Sequence, residues 1–165
     1  MYDATAATAL WDFALAAYAR PGVALLCLQL QDCHGANVML MLHLCHCATA
    51  GQEPGDPADV AAAMAPLEQH LVAPLRRARR VLSASADALG SEALRTSAKR
   101  VSQSELAAER LQCLRVEPVA AHAACVVAPR GTAQRLLLAY FRYLGPHAQW
   151  QGPAAASLAE AVFPL

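Results

Sequence analysis

An all-α fold, one bundle of about six to eight helices, is what the order of residues predicts. Three observations lead there. Alanine and leucine dominate a chain that is 56% hydrophobic, whereas isoleucine is absent and threonine sparse, so helix formers outweigh strand formers. Apolar residues return at helical spacing in segment after segment, with no sustained alternation and no Asn-Gly hairpin turn. Proline and glycine fall between those segments, where they act as punctuation.

The first helix is expected over Thr5–Arg20, where Trp11, Leu15 and Tyr18 share a face and Pro21-Gly22 stops the run. Gly22–His34 follows with Val23, Leu26, Cys27 and Leu30 as its buried stripe, and Gly35 suits the left-handed position after its last turn. Asn37 can cap a third helix, Val38–Thr49, that is apolar nearly all round and so predicts the most buried element. Gly51–Ala58 reads as a loop, and Asp59 as a cap for the next helix. Pro66 and Pro74 divide or kink Val60–Leu82.

Ser83–Gly90, small and polar, is expected to be a second loop before Ser91 caps the longest helix, Glu92–Val116. The apolar stripe of that helix, Leu94, Ala98, Val101, Ala108 and Leu111, is broken by Glu105. Val119–Val127 predicts a short helix and Pro129-Arg130-Gly131 a turn. Thr132–Leu144 follows as an amphipathic helix with Leu137, Phe141 and Leu144 on one side, stopped by Gly145-Pro146. Ser157 and Glu160 have the spacing of a capping box for a last helix. With no repeat and no linker, 1–165 reads as a single helical domain. Its best-defined core is 5–50 plus 59–116, with 119–165 as accessory helices.

Thirteen basic and thirteen acidic residues cancel, so no global field draws the protein to nucleic acid or to an anionic membrane. The apolar runs Val23–Leu28 and Val38–Leu42 are far shorter than the ~20 residues of a membrane span. The start Met1-Tyr2-Asp3-Ala4-Thr5 lacks the basic residue of a secretory leader. The six cysteines, Cys27, Cys33, Cys45, Cys47, Cys113 and Cys125, are therefore expected as reduced thiols in a cytoplasmic protein, most of them small core residues.

The runs Leu10-Trp11-Asp12-Phe13-Ala14-Leu15 with Tyr18-Ala19-Arg20-Pro21-Gly22-Val23, and Cys27 through Leu40, are distinctive. Together with Val72–Leu82 and Glu105–Leu111 they resemble a family of short bacterial proteins known as a domain of unknown function. The resemblance implies a bacterial, cytoplasmic, helical protein and carries no activity with it. This chain departs from the family pattern in two places. Asn37-Val38-Met39 stands where relatives tend to read Asp-Val-Asn, which implies a weakened polar site. His43, Cys45, His46 and Cys47 stand where relatives carry aromatic or aliphatic residues.

Two side-chain groups could carry function. On a helix, His43, His46 and Cys47 project from one side, and imidazole and thiolate are the usual zinc ligands, with Cys33 or His34 available as a fourth. The ordinary reading is that they replace larger core groups, so no cofactor is expected, zinc or haem being the alternative. Arg76, Arg77, Arg79 and Arg80 fall on the side of a helix opposite Leu71, Leu75, Ala78, Val81 and Leu82. Guanidiniums so placed can grip an acidic or phosphorylated partner, or pair with Glu92, Glu105 or Glu109 of the long helix. Asp12 is either a functional carboxylate or a half-exposed one.

Catalytic patterns are lacking: no phosphate-binding glycine loop, no Gly-x-Ser-x-Gly elbow and no Glu-x-x-His pair. The sequence therefore leads to a non-catalytic binding or interaction protein that uses the Arg76–Arg80 face, with a metal- or haem-binding protein as the alternative. The partner is an unidentified protein or anionic ligand, and the oligomeric state is left open.

Overall fold

The computed structural model describes residues 4–116, 129–145 and 149–164. Among these residues the chain forms eight α-helices and no strand. They are α1 (Ala4–Tyr18), α2 (Val23–His34), α3 (Val38–Ala50), α4 (Pro57–Leu67), α5 (Ala73–Leu89), α6 (Glu92–Gln112), α7 (Pro129–Leu144) and α8 (Gln151–Val162). The expected helix over Val119–Val127, and with it Cys125, lies outside the described residues.

Helix α3 is the hub. Its residues from Met39 to Cys45 are all buried, as are Cys47 and Ala48, and it packs against α1 and α7. A helix apolar on every side has to be enclosed, and the flanking helices do so with Leu10, Trp11, Ala14 and Ala17 from α1 and Leu137, Tyr140 and Phe141 from α7. The Asn37 side chain caps it by accepting from Leu40 N at 2.9 Å. Gly35 (φ 69°) and Gly51 (φ 62°) adopt the left-handed conformation that closes α2 and α3. Leu136, Leu137, Leu158 and Val162 join the same core, so α7 and α8 belong to it rather than accompany it.

Several local expectations are corrected. Asp56, not Asp59, caps α4, accepting from Ala58 N at 2.8 Å; Pro57 then sits in the first turn, where its missing N–H costs nothing. Between α4 and α5 the chain neither breaks nor forms a loop. It passes through a π-helical turn, Glu68–Val72, in which Ala73 N donates back to Glu68 O. Pro74 follows directly and has no N–H to continue the α-helical ladder, which is one reason for the wider turn there.

Ser83–Gly90 is not a loop. Helix α5 continues through it to Leu89, because nothing before Gly90 (φ 60°) breaks a helix and Ala86 is buried in the contact with α6. Pro129-Arg130-Gly131 forms the first turn of α7, and α8 begins at Gln151, leaving Ser157 in its interior. Helix α6 ends at Gln112, and Cys113–Arg115 tighten into a 3₁₀ turn.

Helices α5 and α6 form a long antiparallel hairpin about Gly90-Ser91, with Ser91 Oγ accepting from Leu94 N. The rotation of α5 in that hairpin is the main departure from expectation. Leu71, Ala78 and Val81 face water, whereas Val72 and Ala86 are buried and Arg76 is nearly so.

Truncating the hub should be costly while trimming the surface should not. Leu40→Ala is expected to lower the free energy of unfolding by about 2–5 kcal/mol, and Leu25→Ala by less than about 0.5 kcal/mol, in urea titrations followed by circular dichroism.

Candidate functional site

The site grows out of the α5–α6 hairpin. Arg76 is only 11% exposed and cannot sit there without compensating charge. It donates from Nη1 to Glu68 Oε1 (3.1 Å), from Nε to Glu105 Oε1 (3.2 Å) and from Nη2 to Glu109 Oε1 (3.4 Å). Arg79 holds the same Glu105 through Nε at 2.5 Å. Glu105 and Glu109 stand one turn apart on α6, the spacing that lets both reach a single guanidinium. Glu105, a break in the apolar stripe when α6 is considered alone, is 8% exposed at its side chain and is where α6 meets α5.

The network runs on into the rest of the fold. Glu68 Oε2 accepts from Asn37 Nδ2 (3.0 Å) and from Gln112 Nε2 (3.0 Å), and the Asn37 backbone N–H donates to the Tyr140 hydroxyl at 2.9 Å. One asparagine thus caps α3 and ties α3 to the π-helical turn and to α7. An aspartate could cap α3 equally well, but it would set a second carboxylate against Glu68.

Beside the network lies a cleft of about 220 Å³. Trp11 and Leu15 of α1, Leu28 of α2, Met39 and Leu42 of α3 and Leu106 of α6 supply apolar walls. Arg76, Arg79, Glu105, Glu109, Tyr18, Gln31 and Ser102 supply polar groups. Leu15, Leu28 and Leu106 are 50%, 41% and 49% exposed, a large apolar area to leave in water. Burial, with Glu105 next, raises the Glu109 carboxyl against the pull of Arg76. Burial also raises the Tyr18 phenol, helped by Cys27 and Glu109. The hydrogen bond to Glu105 raises Arg79 further above its ordinary value. An apolar concavity with convergent polar groups and displaced protonation equilibria is the usual form of a ligand site.

The four arginines do not act as one face. Arg76 and Arg79 point inward to the glutamates, as the pairing with Glu105 and Glu109 allows, while Glu92 pairs with Arg95 instead. Arg80 makes a surface pair with Asp32 at 2.5 Å, and Arg77 is exposed with no ion pair among the described residues. The reason is electrostatic. α6 presents carboxylates to α5, so the cations rotate toward them and the apolar Val81 is left outside.

The residues considered for a metal are not gathered either. Among the described residues no group of three or more His, Cys, Asp or Glu is placed to hold an ion. Cys47 Sγ lies 3.5 Å from His43 Nε2, both buried beside the core. His46 stacks on Phe13 at 4.9 Å between ring centroids, and His34 on Trp150 at 3.8 Å. Cys33 is exposed, whereas Cys27, Cys45 and Cys113 are buried free thiols, each raised by burial and so poorly nucleophilic. Asp12 is exposed. Among the described residues no single helix is long and apolar enough to cross a membrane.

The family model of DUF2390, described as a protein of unknown function, matches residues 9–116, well over half of the chain. Every residue lining the cleft falls inside that span. No curated protein and no solved structure matches the chain.

Two outcomes follow from the network and the buried imidazole. Arg76→Ala leaves three glutamates without their shared cation and is expected to cost about 3–5 kcal/mol in urea unfolding, against less than about 0.5 kcal/mol for Arg77→Ala. Burial first, and His46 second, lower His43 from the ordinary 6.5 to about 4. The unfolded chain then binds a proton that the folded chain refuses. Stability should be full above pH 6.5 and decline as pH falls toward 4, by about 3 kcal/mol from this residue. The decline should flatten in His43→Leu, measured by urea titrations at pH 7 and 4.5.

Proposed function

Given that this chain belongs to the DUF2390 family, we propose that it is a non-catalytic binding protein whose ligand enters the cleft between α1, α2, α3 and the α5–α6 hairpin. The observation that carries this reading is the exposure of Leu15, Leu28 and Leu106 around one cavity rather than scattered over the surface. Apolar side chains half in water at a cavity mouth gain about 25 cal/mol for each Å² that a ligand covers. The charged groups beneath them are already tied to one another, which preorganises the cleft instead of letting it collapse.

The same ties reduce the case for an acidic or phosphorylated partner on the arginine helix. A guanidinium with three carboxylates around it has no field left for a fourth. Arg77, the unpaired terminal nitrogen of Arg79, and Arg80 at the expense of Asp32 remain for such a partner. The cleft lining contains no Cys, His or Lys, and two of its carboxylates, Glu105 and Glu109, are engaged by arginines.

1-Hexanol, a neutral probe with an apolar body, tests the cleft. Added to the full chain, it should give saturable chemical-shift changes at the Trp11 indole and at the methyls of Leu15, Leu28 and Leu106. Leu28→Glu and Leu106→Glu, both at exposed positions, should weaken that binding at least tenfold while leaving helicity intact. Shifts absent at saturating probe, or spread evenly over the surface, would defeat the reading.

A further inference from the structure

A second concavity, a groove of about 390 Å³, runs along the half of the α5–α6 hairpin nearer its turn. Two ladders at helical spacing form its sides: Arg79, Ser83 and Asp87 on α5, and Arg95, Lys99 and Ser102 on α6. Ala86 and Ala98, both buried, form the floor, and side chains this small leave the space between the longer ones empty. The groove meets the cleft at Arg79 and Ser102, which line both.

Its charge is one-sided. Arg79, Arg95 and Lys99 are set against a single carboxylate, Asp87, so the lining holds two positive charges in excess. Asp87 is exposed and stands near the turn, about 12 Å along α5 from Arg79 at the helical rise. The carboxylates that pair with the lining cations lie outside the groove. Glu92, on Arg95, is 76% exposed and screened by water, while Glu105 is divided between Arg79 and Arg76.

At the inner end the unspent groups are donors. Arg79 gives Nε and Nη2 to Glu105, which leaves Nη1. Among the described residues Lys99 makes no ion pair, and the hydroxyls of Ser83 and Ser102 make no hydrogen bond. Elsewhere on α6 the serines are satisfied: Ser97 and Ser104, off the groove, donate to the carbonyls of Ala93 and Arg100 at 3.1 and 3.3 Å. An ammonium, one edge of a guanidinium and two hydroxyls, drawn from both helices, therefore converge where no carboxylate lines the wall.

We propose that the inner end of this groove is a site for a phosphate monoester, its oxygens held by Arg79 Nη1, the Lys99 ammonium and the hydroxyls of Ser83 and Ser102. A dianion matches the two charges in excess, and a tetrahedral oxyanion offers acceptors to both helices at once. Arg76 takes no part, since its Nε, Nη1 and Nη2 are all engaged by carboxylates. The site does not depend on what enters the cleft. The phosphate is either a small soluble ester or the head of an amphiphile whose body lies in the adjoining cleft.

Methyl phosphate, trimethyl phosphate and tetramethylammonium test the sign of the site. Each is titrated into the full chain at pH 7 and constant ionic strength, and backbone amide shifts are followed. Saturable shifts at Ser83, Lys99 and Ser102 are expected with the anion alone. Lys99→Gln, at an exposed position, should weaken methyl phosphate at least fivefold, whereas Arg100→Gln, the neighbouring cation off the groove, should change it less than twofold. Hexyl phosphate separates the sources. Tighter binding than methyl phosphate, with shifts at the Leu106 methyls, supports the site as one for an amphiphile's head, and equal binding supports it as one for a soluble ester.

Equal shifts from the anionic, neutral and cationic probes would overturn the proposal. So would an equal loss in Lys99→Gln and Arg100→Gln, or no saturable shift at the groove with either phosphate ester. Binding of 1-hexanol in the cleft is read separately, so the cleft and the groove fail independently.

Discussion

A guanidinium nearly out of water on the inner side of α5 is the constraint that organises this protein. A buried cation demands anions at hydrogen-bonding distance, and they have to come from somewhere. Arg76 draws Glu105 and Glu109 from α6 and Glu68 from the π-helical turn, and so sets the rotation of α5 and the depth of the hairpin. Glu68 in turn collects Asn37 and Gln112, and Asn37 carries the connection to Tyr140. An ionic network at one place thereby joins α3, the π-helical turn, α5, α6 and α7. Replacing such a network by apolar groups can be neutral in stability, but removing one member cannot, because its partners stay buried.

The cleft is the other face of that arrangement. Had α5 turned Ala78 and Val81 inward in place of Arg76 and Arg79, that concavity would lack their guanidiniums. With arginines there instead, side chains fixed by their partners stand beside apolar walls, and the gap is held open. Side chains fixed by electrostatics and apolar walls therefore line the same gap. The polar groups at hand are paired ions, a phenol, an amide and the Ser102 hydroxyl.

The cysteine and histidine cluster of α3 shows the opposite outcome. His43 and Cys47 contact each other in the core, His46 stacks on Phe13, and Cys45 is fully enclosed. Burial pushes the imidazole of His43 down and the thiol of Cys45 up, so both stay neutral at pH 7. Groups that are uncharged and enclosed behave as core side chains. Their polar atoms become a pH-dependent stability term, and among the described residues no group of three or more His, Cys, Asp or Glu is placed to hold an ion.

What the sequence determined by itself was much of what depends on neighbours along the chain. Helical periodicity, the Asn37 cap, the glycines after α2 and α3, and the enclosure of an all-apolar α3 are consequences of spacing and of backbone sterics, which act within a few residues. Where stop signals were weak the reading failed: Ser83–Gly90 stayed helical and Ser157 lost its place as a cap, because packing against a partner outweighs modest local preferences. Only tertiary structure decided which side of α5 faces inward. Helical spacing separates two faces, and hydrophobicity alone selects the leucine face. The energy that reversed the choice comes from carboxylates about 26 to 33 residues away on α6, a charge match that no local pattern contains. The cleft, assembled from five helices, became visible only once that match was made.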